Sequence, residues 1–156
     1  MTEQTLTDFI TVKLDEIQEI RDALTAKSRS VLQEAFARFF ELHPQVKTIH
    51  WRQWIPGFND GDPCEFSIGD ICFSPVDLDE ITSPYFDDED EDPERESFKG
   101  FNGTKPGLDA QFVEDMRAVE RMIYNESDTI EFLYGSNSFI RIGNDRYEVE
   151  DYDCGY

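Results

Sequence analysis

The sequence predicts an α+β fold: a long N-terminal helix or helix pair and a second helix, packed on a mainly antiparallel sheet of about five strands. Three observations lead there. Residues 5–42 contain neither Gly nor Pro and carry apolar side chains at helical spacing, residues 46–55 alternate, and the C-terminal third holds short β-type runs separated by Gly- and Asn-bearing connectors.

Taking the elements in order, Ile10, Leu14, Ile17, Leu24, Val31, Ala35, Phe39 and Leu42 fall on one stripe of a 3.6-residue helix. Polar "TAKSRS" at 25–30 interrupts the stripe, so the segment reads as one kinked helix or two helices meeting there, ended by Pro44. Core packing is the expected role of this stripe, with a coiled-coil dimer seam as the alternative. "VKTIHWRQWI" at 46–55 is a strand with Ile49, Trp51 and Ile55 on one face and Thr48, His50, Arg52 and Trp54 on the other. "CEFSIGDICF" at 64–73 is a second strand, with Gly69 at a bulge. Leu108, Phe112, Met116, Val119 and Ile123 mark a helix over about 109–125 capped by Asp109. "TIEFLY" (129–134), "SFIRI" (138–142) and "RYEVE" (146–150) then read as a three-stranded meander turning at "GSN" and "GND".

The bulk composition bounds the class of molecule. At 156 residues the chain is expected to form one domain with a single core, and 13 Phe supply apolar area despite a hydrophobic fraction of 38%. The absence of a long apolar run and of a charged-then-apolar N-terminus, with an odd set of three cysteines (Cys64, Cys72, Cys154), points to reduced thiols and a cytoplasmic location. A net charge of −21 excludes phosphate backbones and anionic membranes as natural partners and favours a basic one.

Between the two strands, "WIPGFNDGDPCEF" (54–66) offers Asp60 and Asp62 as metal-ligand or acid/base candidates. Aligned on Gly61, an EF-hand loop would need ligands at Pro56 and Phe58 and a Glu at Ser67, so that pattern fails. Asp60-Gly61 between apolar runs is instead a hairpin turn. The stretch "WRQWIPGFNDGDPCEF", with the closing "YEVEDYD", resembles a family of small acidic proteins of unassigned function found mainly in bacteriophages. That resemblance implies a phage or prophage setting and, the family having no activity assigned, carries none over to this chain.

Other constellations carry little. His43 and His50 could join a zinc site only if the fold brought both to cysteines, and ordinary helix-end and strand histidines are the simpler expectation. "GFNGTKPG" (100–107) lacks P-loop spacing and reads as a connecting loop. No motif implies a cofactor.

Charge is the outstanding feature. "DLDEITSPYFDDEDEDPERE" (77–96) has eleven acids and one Arg, and the last thirteen residues add five acids against one Arg. An acidic loop at about 75–100 is therefore expected, either as a solvated run or as a ridge imitating a nucleic-acid strand, since an extended chain advances about 3.3 Å per residue against about 3.4 Å per phosphate. A Ca²⁺ or Mg²⁺ cluster is a third reading. The partner-binding candidates are Asp77, Asp79, Glu80, Tyr85, Phe86, Asp87, Asp88, Glu89, Asp90, Glu91 and Asp92. The expected function is that of a non-catalytic acidic binding protein, a phage-type inhibitor occupying the basic groove of a nucleic-acid-binding host protein, with no direct contact to nucleic acid or membrane. Two alternatives stand beside it: a metal-dependent hydrolase using Asp60, Asp62 and the acids of 87–92, and a small oligomeric accessory protein dimerising through its N-terminal helix.

Overall fold

The computed structural model of the chain describes residues 5–56, 65–81, 97–100 and 103–152. Its first element, α1, runs unbroken from Leu6 to Leu42. Thr5 caps it by accepting from the Asp8 amide at 3.1 Å. The polar stretch at 25–30 does not break the helix, because none of its residues removes a backbone donor or requires a non-helical φ. His43 ends it, immediately before the proline that forbids continuation.

Among the described residues, seven strands form one antiparallel sheet: β1 Thr48–Trp54, β2 Ser67–Ile68, β3 Cys72–Ser74, β4 Lys99–Gly100, β5 Gly103–Thr104, β6 Ser138–Ile142 and β7 Tyr147–Asp151. The order is β5-β4-β3-β1-β6-β7, with β2 continuing the β3 side of β1. Helices α2 (Ala110–Asn125) and α3 (Ser127–Tyr134) lie between β5 and β6 in the chain. The α+β class therefore holds, with two more strands than expected. The extra pair is β4–β5, two antiparallel strands at the start of the stretch read as a connecting loop.

The apolar run at 64–73 makes two strands instead of one. Gln53 pairs with Ile68 and His50 with Cys72, so Trp51 and Arg52 of β1 face three residues, Gly69–Ile71. This is the bulge expected at Gly69. A Cβ there would sit 3.2 Å from the Trp54 ring and 3.3 Å from the Arg52 carbonyl, which is why glycine occupies it. The Asp60-Gly61 turn lies outside the described residues, although the strands flanking it are antiparallel neighbours.

Residues 129–134 are a correction. The stretch "TIEFLY" is expected as the first strand of a meander, but the segment is helix α3, in which Ile130, Leu133 and Tyr134 share the inner face and Phe132 is 71% exposed. Ile130, three and four residues before Leu133 and Tyr134, satisfies the helical period equally well in so short a run. Gly135, at φ 100°, then stops the helix, so "GSN" joins a helix to a strand.

The core fills one face of the sheet. Phe36, Phe39 and Phe40 of α1, Phe112, Met116 and Ile123 of α2 and Ile130 of α3 close over Ile49, Trp51, Phe73, Ile140 and Ile142. The α2 stripe and the Asp109 cap are as expected, Asp109 accepting from the Gln111 and Phe112 amides at 3.1 and 3.3 Å. The α1 stripe is a second correction. Its core residues are Leu32, Phe36, Phe39 and Phe40, whereas Ile10, Leu14, Ile17, Leu24, Val31 and Leu42 are exposed. Helix α1 thus has two apolar faces, and the sheet uses only the one near its C-terminal end.

His43 fastens α1 to α2. Its ring lies between Phe39 and Phe112, and Nε2 meets the Asp115 carboxylate at 2.6 Å. The hydrogen bond from His43, then that from Gln111, holds the Asp115 carboxyl below its ordinary 3.8. Folding therefore favours the deprotonated acid: the stabilisation is complete well above pH 3.8 and disappears as pH falls through the lower folded value. Asp115→Asn should lower the melting temperature at pH 7 by about 2–4 °C. The difference from wild type should shrink on acidification towards pH 3, as followed by calorimetry.

Candidate acidic interface

Among the described residues, the stretch 75–81 covers the face of the sheet away from the helices. Thr48, His50 and Arg52 of β1, Cys72 and Ser74 of β3, Phe139 and Arg141 of β6 and Glu148 and Glu150 of β7 share this face by register. Residues 75–81 lie against it. Thr48 Oγ1 donates to the Val76 carbonyl at 2.7 Å, and a single 3₁₀ turn, Leu78–Glu80, presses Leu78 inward. Leu78 and Ile81 are buried, while Asp77, Asp79 and Glu80 point to solvent.

At the centre is Arg141, a guanidinium whose side chain is 4% exposed. Nη1 donates to the carbonyls of Leu78, at 3.4 Å, and Ile81. Nη2 donates to Glu148 Oε2 at 2.8 Å and to Glu150 Oε1. A buried charge is tolerable only when paired and hydrogen-bonded, and this one takes two carbonyls from the covering segment and two carboxylates from the neighbouring strand. Its Cζ lies 5.5 Å from the centroid of the Phe139 ring, which His50 meets edge-on at 6.0 Å.

His50 is buried, and its pKa is lowered from 6.5 to about 3, first by burial and then by the positive charges of Arg141 and Arg52. It is a neutral ring on this face, and its Nε2, like Arg141 Nε, has no hydrogen-bond partner among the described residues.

Towards the rim, Arg146 Nη2 pairs with Asp79 and Nη1 lies 3.4 Å from Glu148. A groove of about 660 Å³ opens there, lined by Asp77, Asp79, Asp145, Arg146, Phe40 and Val46 among others. Asp77, Asp79 and Glu80 from the first acidic region thus stand beside Asp145, Glu148 and Glu150 from the second. These sequence neighbourhoods, more than sixty residues apart, are joined by Arg141 and Arg146. Beyond Ile81 the chain enters 82–96, and it returns at Ser97, next to which the Phe98 amide donates to the Phe73 carbonyl at 2.8 Å. Tyr85, Phe86, Asp87, Asp88, Glu89, Asp90, Glu91 and Asp92 lie outside the described residues, as do Asp60 and Asp62.

Neither arginine was singled out from sequence, though a signal existed. "FIRI" gives Arg141 the opposite parity to Ile140 and Ile142, and "EVE" puts two acids on the next strand in matching phase. His43 and His50 are far apart in role, one bonded to Asp115 and one packed on Phe139, and do not form a zinc site. Among the described residues, no group of three or more His, Cys, Asp or Glu side chains could hold a metal ion, and no helix is long and apolar enough to cross a membrane. No family model, curated protein or solved structure matches this chain.

Two measurements probe this face. Because His50 stays unprotonated in the fold, the unfolded chain alone takes up its proton between pH 6.5 and about 3, so stability falls on acidification across that window. His50→Gln should flatten that part of the stability profile, and the wild-type ring should show no NMR titration above pH 4. Arg141→Met, which leaves the carbonyls of Leu78 and Ile81 without their donor, should cost about 2–4 kcal/mol in denaturant unfolding. Amide exchange should accelerate at 76–81 more than in α2.

Proposed function

We propose that this chain is a non-catalytic acidic binding protein whose target is a basic groove, of the kind that binds nucleic acid in another protein. The observation that carries the proposal is the Arg141 node. It ties the segment leading into the acid-rich stretch to the carboxylates of β7, so that Asp77, Asp79 and Glu80 hold a set position relative to Glu148 and Glu150. Fixed carboxylates on one side of a protein of net charge −21 give a directed negative field, which steers a cationic partner and makes association salt-sensitive. An acid run with the linear charge density of a nucleic-acid strand suits such a groove, and Tyr85 and Phe86 supply apolar anchors. A phage-type inhibitor of a host nucleic-acid-binding protein is the form this reading takes, in keeping with the resemblance of the "WRQWIPGFNDGDPCEF" stretch.

Pull-down from a bacterial lysate at about 50 mM salt, compared with about 300 mM, should yield basic partners released by the higher salt. Changing Asp77 and Asp79 to Asn and Glu80 to Gln should weaken capture by at least about tenfold. Neutralising residues 87–92 with Ser and Asn should abolish it. Retention of the same partners by both variants would mean that the acids are not the contact surface.

A further inference from the structure

The exposed stripe of α1 is unused by the core and runs from Leu6 to Val31, the part of the helix that precedes its packing on the sheet. Leu6 is 73% exposed, Ile20 66% and Leu24 64%, and Ile10, Ile17 and Val31 are about half exposed. Ile10, Ile17, Leu24 and Val31 recur every seven residues, and Leu6, Lys13, Ile20 and Lys27 form the companion row. A seven-residue period marks a seam between helices, and Leu6–Val31 spans nearly four heptads, about 39 Å at 1.5 Å per residue.

We infer that a second copy of this chain covers the stripe, the two helices running antiparallel. Reversing one helix about a two-fold axis sets Leu6 opposite the partner's Val31, Ile17 opposite the partner's Ile20, Lys13 opposite the partner's Leu24 and Ile10 opposite the partner's Lys27. Each lysine then faces an apolar residue, over which its methylenes can lie while the ammonium reaches water. A parallel pair would instead set Lys13 against Lys13 and Lys27 against Lys27.

The flank of the seam agrees. A groove of about 410 Å³ between α1 and α3 is lined by Arg21, Leu24, Asp128, Phe132 and Leu133, among others. Where Leu24 meets the partner's Lys13, the Asp128 carboxylate is at hand for that ammonium, and the exposed Phe132 ring borders the incoming helix. Charge decides the same way on the larger scale. The helical residues that pack on the sheet, from Leu32 onward, lie at opposite ends of an antiparallel pair, roughly 50 Å apart and far beyond a screening length of about 8 Å. Side by side, two bodies of net charge −21 would repel.

Sedimentation equilibrium of the full chain at 1–100 µM should give a dimer. Ile17→Asp with Ile20→Asp should raise its dissociation constant by about a hundredfold or more. Both positions are exposed in the single chain, so circular dichroism and the melting transition of the sheet should persist. Orientation is read by oxidative cross-linking in a Cys64→Ser, Cys154→Ser background. An equimolar mixture of Leu6→Cys and Val31→Cys chains should cross-link as the mixed pair, with neither variant linking to itself. A strict monomer at 100 µM overturns the inference, as does self-linking of Leu6→Cys. So does a monomer that co-sediments with phosphatidylcholine vesicles, since the stripe would then be a membrane-surface face.

Discussion

A positive charge placed where water cannot reach it must be supplied with acceptors, and Arg141 imposes that constraint on the 75–81 segment and on β7. Its own strand can offer none, because the β6 carbonyls are committed to the ladder. The acceptors come instead from β7 and from the carbonyls of Leu78 and Ile81, so the chain after β3 is obliged to cross the sheet and end its 3₁₀ turn over β6. Leu78 and Ile81 gain burial by the same crossing. The ion pairs at the rim, Arg146 with Asp79 and Glu148, are exposed and contribute little by themselves. They decorate a geometry that the buried guanidinium has already set.

The central strand β1 shows what this does to the core. Ile49, Trp51 and Gln53 face the helices, and Gln53 bridges the Trp51 indole N–H to the carbonyl of Gly135. Thr48 and His50 face the other way and are just as inaccessible. Among the described residues, helices cover one side and the 75–81 stretch the other, so polar groups on both sides need partners. Nearly all find them, and His50 meets its burial by remaining neutral.

The legible parts of the fold were those with repeated local signals. The α2 stripe, the alternation of β1, and the β6–β7 hairpin around "GND" could each be read from spacing alone, because period and face coincide when an element has one buried side. Helix α1 could be recognised as a helix, but its core face could not. Two apolar stripes overlap in the sequence, and only tertiary contact shows that Leu32, Phe36 and Phe40 belong to the sheet while Ile17 and Leu24 do not. The TIEFLY segment failed because six residues fit both periods. Asp77, Asp79 and Glu80 were legible through composition. Arg141 was not, since its importance comes from being buried opposite two glutamates, a property of register that appears only once the strands are paired.

The extra residue at Gly69 has a bearing on how this region can vary. Ile68 and Phe73 are five apart, an odd separation that would send them to opposite sides of an uninterrupted strand, yet both oppose core-facing residues of β1, Gln53 and Ile49. The bulge is the phase correction that permits this. Loss of one residue from 69–71 would leave the pair four apart and still in phase along a plain strand. Filling the space at Gly69 with a branched side chain would push β2 or β3 out of step with its neighbour. At this point the molecule should therefore accept a change in chain length more readily than a change in bulk.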